Sequence, residues 1–578
     1  MISKQTKFFI GTHFFPAIFL LLWIGANIAV FTTAYLSYNH KKYYYINLIL
    51  GKALPIARAS AACLNLNNAL ILIPVCKNVI ESIRKFINLK IFPRNLTKLT
   101  DEAIHFHKIV AYSIFFFTAV HYYSHCFNLE RYNNAWLEKD SIQYNLTVFF
   151  TENNYLNPLR KHSFVAVLPL WTLTAGWSGV IITASLVMIF ASSVEFIRCK
   201  YFEIFWFTHH FFIFYFVFQF IHGMQGIVRS QVNWEDHDPS LCQDFLNSNS
   251  TSCPEPIFEG KPLSTWKWIL GPIALYLFER LIRIINSVRS VEVMRIVEHP
   301  NNVMEINMRK RKLFSKKYVR GEVGQYISLK CPSVSILEWH PFTLTSAPET
   351  DFLSVYVRNA GDWTGALHEY LKNCSKDNIE PTLSIDGPFG ASSQDVFAYK
   401  KAVCIGLGIG ITPFASLLNS LKCKLELNQT KNDKIISKMK LKKLTFIWYA
   451  RYTKELEWFL DCAQKFEEFL ESRNAKVEDD KKFHCQIQFY VTGDMSKTDI
   501  SHIVLNETNE RDIITNLKSK TYYKRPNWDV VLGKVARDYG GRIGIFYCGS
   551  KLAIPAILEN AEKYTDEKTV FEFHKENF

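Results

Sequence analysis

The stretches AIHFHKIVAYSIFFFTAVHYYSHCF, residues 103–127, and FEIFWFTHHFFIFYFVFQFIHGMQGIV, residues 202–228, decide the fold. Each is long and apolar enough to cross a bilayer, and each carries histidine at two depths. In the first these are His107 and His121; in the second, His209 and His222. Histidine is a common haem ligand. Separations of 14 and 13 residues correspond to a rise of about 20 Å, the spacing of two haems stacked across a membrane. If successive spans alternate in direction, these two run the same way, which pairs His107 with His209 and His121 with His222. The angles agree less well. At about 100° per residue, 14 steps return to within roughly 40° of the starting face, whereas 13 miss it by roughly 140°, so the second helix requires a local irregularity. His210 competes with His209, and spacing does not decide between them. Any one of these histidines alone reads as a satisfied core polar residue; four at matched depths read as a ligand set.

Working outward, apolar runs of spanning length lie at 8–35, 55–79, 103–127, 164–197, 202–228 and 266–285, a bundle of six. Residues 77–108 carry seven basic side chains against three acidic ones, which places that loop in the cytosol. Residues 229–264 carry six acids against Arg229 and Lys261; that loop faces out, and both termini are cytosolic. Of 13 cysteines, Cys242 and Cys253 fall together in this outer loop, where a disulfide can persist. The sequons at Asn145 and Asn249 also lie outside. The first apolar segment lacks a small-residue cleavage site and reads as a retained anchor, with no room before it for a calcium-binding domain. The net charge of +14 is scattered and accompanies no nucleic-acid-binding signature, which excludes a nucleic-acid binder.

Arg58, one turn into the second span, and His125, one turn beyond His121, lie at the outer end of the proposed electron path. Charge within a span is costly and usually functional. A cation and a proton donor there can bind dioxygen and stabilise the anion formed on one-electron reduction. Equally, Arg58 can snorkel to the surface or pair with a haem propionate.

Past Arg289 the pattern changes to short alternating runs with turn residues between them, an antiparallel barrel. From about Lys401 apolar strands at 402–406, 444–449, 486–491 and 543–548 alternate with helical stretches, a parallel sheet with crossover helices. The polar segment 423–443 reads as an exposed insertion. Gly406-Leu-Gly408-Ile-Gly410-Ile-Thr412-Pro413 follows the first strand and opens a helix, the context of a pyrophosphate cradle. Arg451, at the end of the next strand, can pair with a 2′-phosphate or be an ordinary surface arginine. Cys548, ending another strand, lies in the crevice at the carboxyl ends of the sheet or is simply a buried small hydrophobe. The terminal Phe578 is an aromatic that can cover a flavin ring.

Together these residues resemble the NADPH oxidase (NOX) family, above all the phagocyte-type flavocytochrome b heavy chain and its near relatives. The resemblance spans nearly the whole chain: Ala57-Arg58-Ala59, Phe106-His107-Lys108, Phe205-Trp-Phe-Thr-His209-His210, His340-Pro341-Phe342-Thr343-Leu-Thr-Ser-Ala-Pro348, Gly361-Asp-Trp363-Thr364, Asp386-Gly-Pro-Phe-Gly390, Arg525-Pro-Asn-Trp528 and Lys575-Glu-Asn-Phe578. It implies a multi-domain membrane protein: a six-helix transmembrane haem-binding bundle (1–288), then a ferredoxin-NADP-reductase-like module made of an antiparallel β-barrel FAD domain (289–395) and an α/β NADPH domain (396–578). It implies FAD on His340, Pro341, Phe342, Thr343, Arg358, Gly361, Trp363 and Thr364, under Phe578. NADPH is implied on Gly406, Gly408, Gly410, Thr412, Pro413, Arg451, Arg525 and Cys548. Two b-type haems on His107, His121, His209 and His222 are implied too, with dioxygen reduced to superoxide beside Arg58 and His125. The family's pattern selects His209 over His210. Its partners would be a small membrane subunit (the flavocytochrome b light chain), a Rac-type GTPase and cytosolic organiser and activator proteins, at the plasma membrane or a phagosome or endosome membrane. Ser550, where relatives usually have Pro, and Ala450, where Cys is common, depart from the pattern beside the nicotinamide site. The rival readings are a transmembrane ferric or cupric reductase and, without enzyme activity, a proton channel or transporter.

Overall fold

The computed structural model describes residues 4–87, 94–149, 151, 153–158, 171–224, 226–242, 253–260, 264–310, 321–430, 439–493, 497–506 and 509–576. Two compact units emerge, and neither is continuous in sequence: one comprises 19–76 and 103–278, the other 1–18, 77–102 and 279–578.

The first unit is a helical bundle. Among the described residues five helical segments, Phe14–Ser37, Ala53–Val75, Ala103–Leu137, Thr174–Ser192 and Phe202–His222, are long and apolar enough to cross a membrane. A sixth, Thr265–Val288, is helical over 24 residues, but it bears Lys267, Glu279, Arg280 and Arg283 and is not apolar enough by composition. Its last turns, from Glu279, belong to the other unit. The first part of the expected fourth span, 164–170, lies outside the described residues. Buried asparagines tie the bundle together: Trp23 Nε1 donates to Asn67 Oδ1 (3.1 Å), Asn67 Nδ2 to Asn27 Oδ1 (2.6 Å) and Tyr215 OH to Asn68 Oδ1 (3.0 Å). Inside an apolar bundle such polar groups satisfy one another across helices. Beyond the helices, Arg229–Gln231 pairs antiparallel with Phe258–Gly260, and Cys242 and Cys253 are bridged as the sequence predicts. The sequon at Asn145 lies on the helix Ile142–Val148, and Asn249 lies outside the described residues.

In the second unit, two antiparallel sheets share one apolar core built on Ile306, Ile327, Leu329, Val355 and Leu367. The bridge Leu344↔Val355 links the sheets into the expected barrel. The following sheet is wholly parallel, in the order His484–Val491, Lys443–Ala450, Lys401–Leu407, Gly541–Cys548, Thr569–Lys575. Its inner strands Lys401–Leu407 and Lys443–Ala450 are buried along nearly their whole length and read as near-continuous apolar runs.

Two expectations are corrected, and one loop is placed. The first span does not start at Phe8: Lys4–Thr12 is a separate helix, and Phe8 packs in the core beside the edge strand Thr569–Lys575. An uncovered edge strand is a liability, and this helix covers it. The basic loop 77–102 packs within this second unit, the reductase-like part of the chain. Arg84 is buried between Asp101 and Asp395, Glu81 accepts from Gly390 N (2.8 Å), and Lys98 Nζ donates to Gly11 O (2.6 Å). Finally, the segment from Cys423 is not an insertion throughout, because the helix Thr412–Thr430 continues through it and buries Leu425; residues 431–438 lie outside the described residues.

Candidate redox site

The bundle brings the four histidines together in two pairs. The ring centres of His107 and His209 are 6.4 Å apart, and those of His121 and His222 are 6.3 Å apart. Two imidazoles facing one metal ion, at a nitrogen-to-metal distance of about 2.0–2.1 Å, put their ring centres roughly 6.3 Å apart. Among the described residues no three His, Cys, Asp or Glu side chains gather into a metal cage. An ion held by either pair therefore takes its remaining ligands from something other than the described side chains, as haem iron does from its porphyrin.

Hydrogen bonds at the far side of each ring fit the same role. His107 Nδ1 lies 2.9 Å from Ile71 O, and His121 Nδ1 2.9 Å from Ala57 O. His209 Nδ1 meets Ser193 Oγ (3.4 Å) and His222 Nδ1 meets Ser178 Oγ (3.2 Å). Both serines donate their own hydrogen to a carbonyl one turn back, Ser193 to Ile189 O and Ser178 to Thr174 O, so each oxygen accepts from the imidazole. All four rings then carry hydrogen on Nδ1 and leave Nε2 free to ligate. A side chain on Gly179 would meet His222 Cε1 at 3.3 Å.

The irregularity required between His209 and His222 lies at His210–Phe211, where both ψ angles fall near −10°. His210 N, Phe211 N and Ile213 N each donate three residues back, to Phe207, Thr208 and His210. Three steps at about 120° instead of 100° recover roughly 60° of the roughly 140° mismatch. His210 turns away and binds its own helix, Nδ1 to Trp206 O at 2.6 Å.

Arg58 follows Ala57, the residue that holds His121, and donates from Nε to Tyr38 OH at 3.1 Å. The His125 ring lies edge-on to His121 at 4.5 Å, and its Nδ1 is 3.4 Å from Asn128 Nδ2.

In the barrel, His340, Pro341, Phe342 and Thr343 form one strand, Arg358 ends another, and Gly361, Trp363 and Thr364 open the helix Asp362–Asp377. The His340 ring stacks on Trp363 (4.0 Å, 23°), with Phe342 at 6.2 Å. Thr364 Oγ1 accepts from Gly361 N and Ala360 N, both at 3.0 Å, closing the turn. Trp363 Nε1 is buried without an acceptor among the described residues, an open donor in a wall of rings that fits a flavin.

In the parallel sheet, Gly406, Gly408, Gly410, Thr412 and Pro413 carry the chain from the central strand into its helix, at the switch in strand order where nucleotides bind. Gly408 has φ +50° with open space beside it, and a Cβ on Gly410 would lie 2.4 Å from Cys548 O. The contact at Gly410 leaves no room for a side chain, and glycine takes the left-handed backbone at 408 without strain. Burial pushes the Cys548 thiol well above its usual value, so it remains protonated. Exposed Arg451 follows the strand Lys443–Ala450, its guanidinium 5.4 Å from the Tyr452 ring. Arg525 is exposed three residues past Tyr522, whose ring stacks on Tyr490 near the end of the next strand (4.9 Å). Both arginines thus belong to the carboxyl edge of the sheet. Ser550 caps the following turn by accepting from Leu552 N. Phe578 lies outside the described residues.

A helical bundle with opposed histidine pairs, joined in one chain to a flavin barrel and a nucleotide-binding sheet, defines the class: a membrane oxidoreductase. Known families match segment by segment, the ferric reductase like transmembrane component over 63–220, the FAD-binding domain over 288–393 and the ferric reductase NAD binding domain over 399–561. NADPH oxidase 1 of Mus musculus is 40% identical, the alignment covering 98% of this chain and 94% of that protein. NADPH oxidase 3 of Homo sapiens is 39% identical over 97% and 98% of the two chains. A superoxide-generating NADPH oxidase heavy chain of Dictyostelium discoideum is 32% identical over 97% and 96%. The chain belongs to the NADPH oxidase family.

Proposed function

We propose that this protein oxidises NADPH on the cytosolic side of a membrane and reduces dioxygen on the other side to superoxide. The observation that carries this reading is the two histidine pairs, 6.4 and 6.3 Å between ring centres, each ring held through Nδ1. When bound, NADPH and FAD supply hydride chemistry and two b-type haems supply one-electron transfer across the bilayer. The chain positions these groups. His107 and His209 hold the inner iron, His121 and His222 the outer. The barrel residues His340 to Thr343, Arg358, Gly361, Trp363 and Thr364 hold FAD. The turn from Gly406 to Pro413 receives the pyrophosphate, Arg451 and Arg525 the 2′-phosphate end, and Cys548 borders the nicotinamide. Arg58 offers a fixed positive charge to the forming superoxide, and His125 stands beside it as proton donor.

Along the sequence, boundaries at 288/289 and 395/396 separate membrane, flavin and nucleotide portions, although 1–18, 77–102 and the turns from Glu279 pack in the second unit. Cytosolic termini are supported by the basic excess in 77–108 and by the disulfide in the acidic loop opposite. The membrane is the plasma membrane or that of a phagosome or endosome. A small membrane subunit, a Rac-type GTPase and cytosolic organiser and activator proteins regulate the activity.

The test is an absorbance spectrum of the full-length, FAD-loaded protein, taken without oxygen before and after NADPH, followed by air and a superoxide probe. Haem reduction reversed by air with superoxide formed is the expected result. Reduced haem stable in air and discharged only by a ferric chelate would overturn it in favour of a metal reductase. Haem reduced by dithionite but not by NADPH would show that an activating partner is required.

A further inference from the structure

The Nε–H of Arg58 donates to the hydroxyl of Tyr38 at 3.1 Å, and no other hydrogen bond or ion pair of this guanidinium occurs among the described residues. Of five guanidinium hydrogens, the four on Nη are left without a protein acceptor. Because the group is planar and rigid, holding Nε sets the direction of both Nη atoms. Tyr38 is itself held firmly. It is 1% exposed, its ring stacks on Tyr43 (4.3 Å, 26°), and its carbonyl accepts from Asn47 Nδ2 at 2.7 Å. Burial pushes the Tyr43 phenol up to about 12, so that ring brings no negative charge beside Arg58.

We propose that Tyr38 is a positioning residue for Arg58, orienting the guanidinium toward the oxygen site while leaving its charge uncancelled. The proposal rests on the reading of Arg58 given above. The choice of partner is what matters: a carboxylate would hold Arg58 more tightly but would neutralise it, whereas a phenol oxygen accepts the hydrogen bond and brings no charge. The full positive charge then remains available to an anion produced next to His121.

The experiment uses full-length protein carrying FAD and haem, reduced with dithionite without oxygen and mixed with oxygenated buffer in a stopped-flow spectrometer. Anaerobic midpoint potentials of both haems are measured alongside. Wild type, Tyr38→Phe, Arg58→Gln and the double variant are compared. Losing a hydrogen bond to a charged group should slow haem reoxidation by about tenfold in Tyr38→Phe and lower the potential of one haem, leaving the other unchanged. Added to Arg58→Gln, Tyr38→Phe should have no further effect, because it acts only through the arginine.

An undiminished effect of Tyr38→Phe in the Arg58→Gln background would overturn the proposal, as would a Tyr38→Phe variant that behaves as wild type beside a slowed Arg58→Gln. An Arg58→Gln variant that behaves as wild type would instead remove the underlying reading of Arg58. Should Tyr38→Phe fail to retain haem, Tyr38→Gln restores an acceptor oxygen: haem and rate retained there support the proposal, and their loss assigns Tyr38 to packing alone.

Discussion

At the residue scale, the site depends on which nitrogen each histidine leaves free. His107 and His121 lean on carbonyls of the neighbouring helix, His209 and His222 on serines of another. Depth and pairing were legible in sequence, since residue number along a helix is distance along its axis. The acceptors were not: Ile71 and Ala57 contribute only backbone, and Ser178 and Ser193 are ordinary intrahelical serines until a second helix meets them. Tyr38 was missed for the same reason, being 20 residues from Arg58 and outside any motif. The choice between the adjacent histidines is testable. His209→Leu should leave one haem of two per chain by pyridine haemochrome, and His210→Leu should retain both, because its ring is committed to Trp206 O.

At the element scale, the helix carrying His209 and His222 works because it is broken. The overwound turn at His210–Phe211 rotates the second half toward the partner helix. Thirteen residues of regular helix would face His222 away, so the sequence demanded an irregularity but did not locate it. Inserting one alanine after Phe211 should rotate His222 by about 100° without moving His209. The expected outcome is loss of one haem equivalent with the other retained in the same spectrum; two retained haems would show that the turn absorbs the change. The helix Thr265–Val288 was legible as a helix but not in its role. Its charged last turns serve the reductase unit, where Glu279 accepts from Asn78 N (3.0 Å) and Arg283 reaches Asp386 (3.4 Å).

At the scale of the whole molecule, the reductase unit gathers three distant stretches, the N-terminal helix, the loop 77–102 and the chain from 279 onward. Glu576 is buried in this unit and accepts from Ser393 N at 2.6 Å, and burial raises its carboxyl to about 7. A folded-state value above the unfolded one means stability present below about 4.5 and lost as pH rises through about 7, on the order of 3 kcal/mol in all. The thermal midpoint of the full-length protein should therefore fall from pH 5 to pH 8 more steeply than that of Glu576→Gln; equal slopes would place the carboxyl in water. Sequence alone determined the two histidine-bearing spans and their histidine depths, the barrel and parallel sheet, the glycine turn and the disulfide, because hydrophobic period, length and turn chemistry are local properties. Only the tertiary structure decided which imidazole nitrogen is free, where the helix overwinds, what holds Arg58, and that a loop between two spans packs with the reductase. Each of these depends on contacts between segments far apart in sequence, which no local pattern encodes.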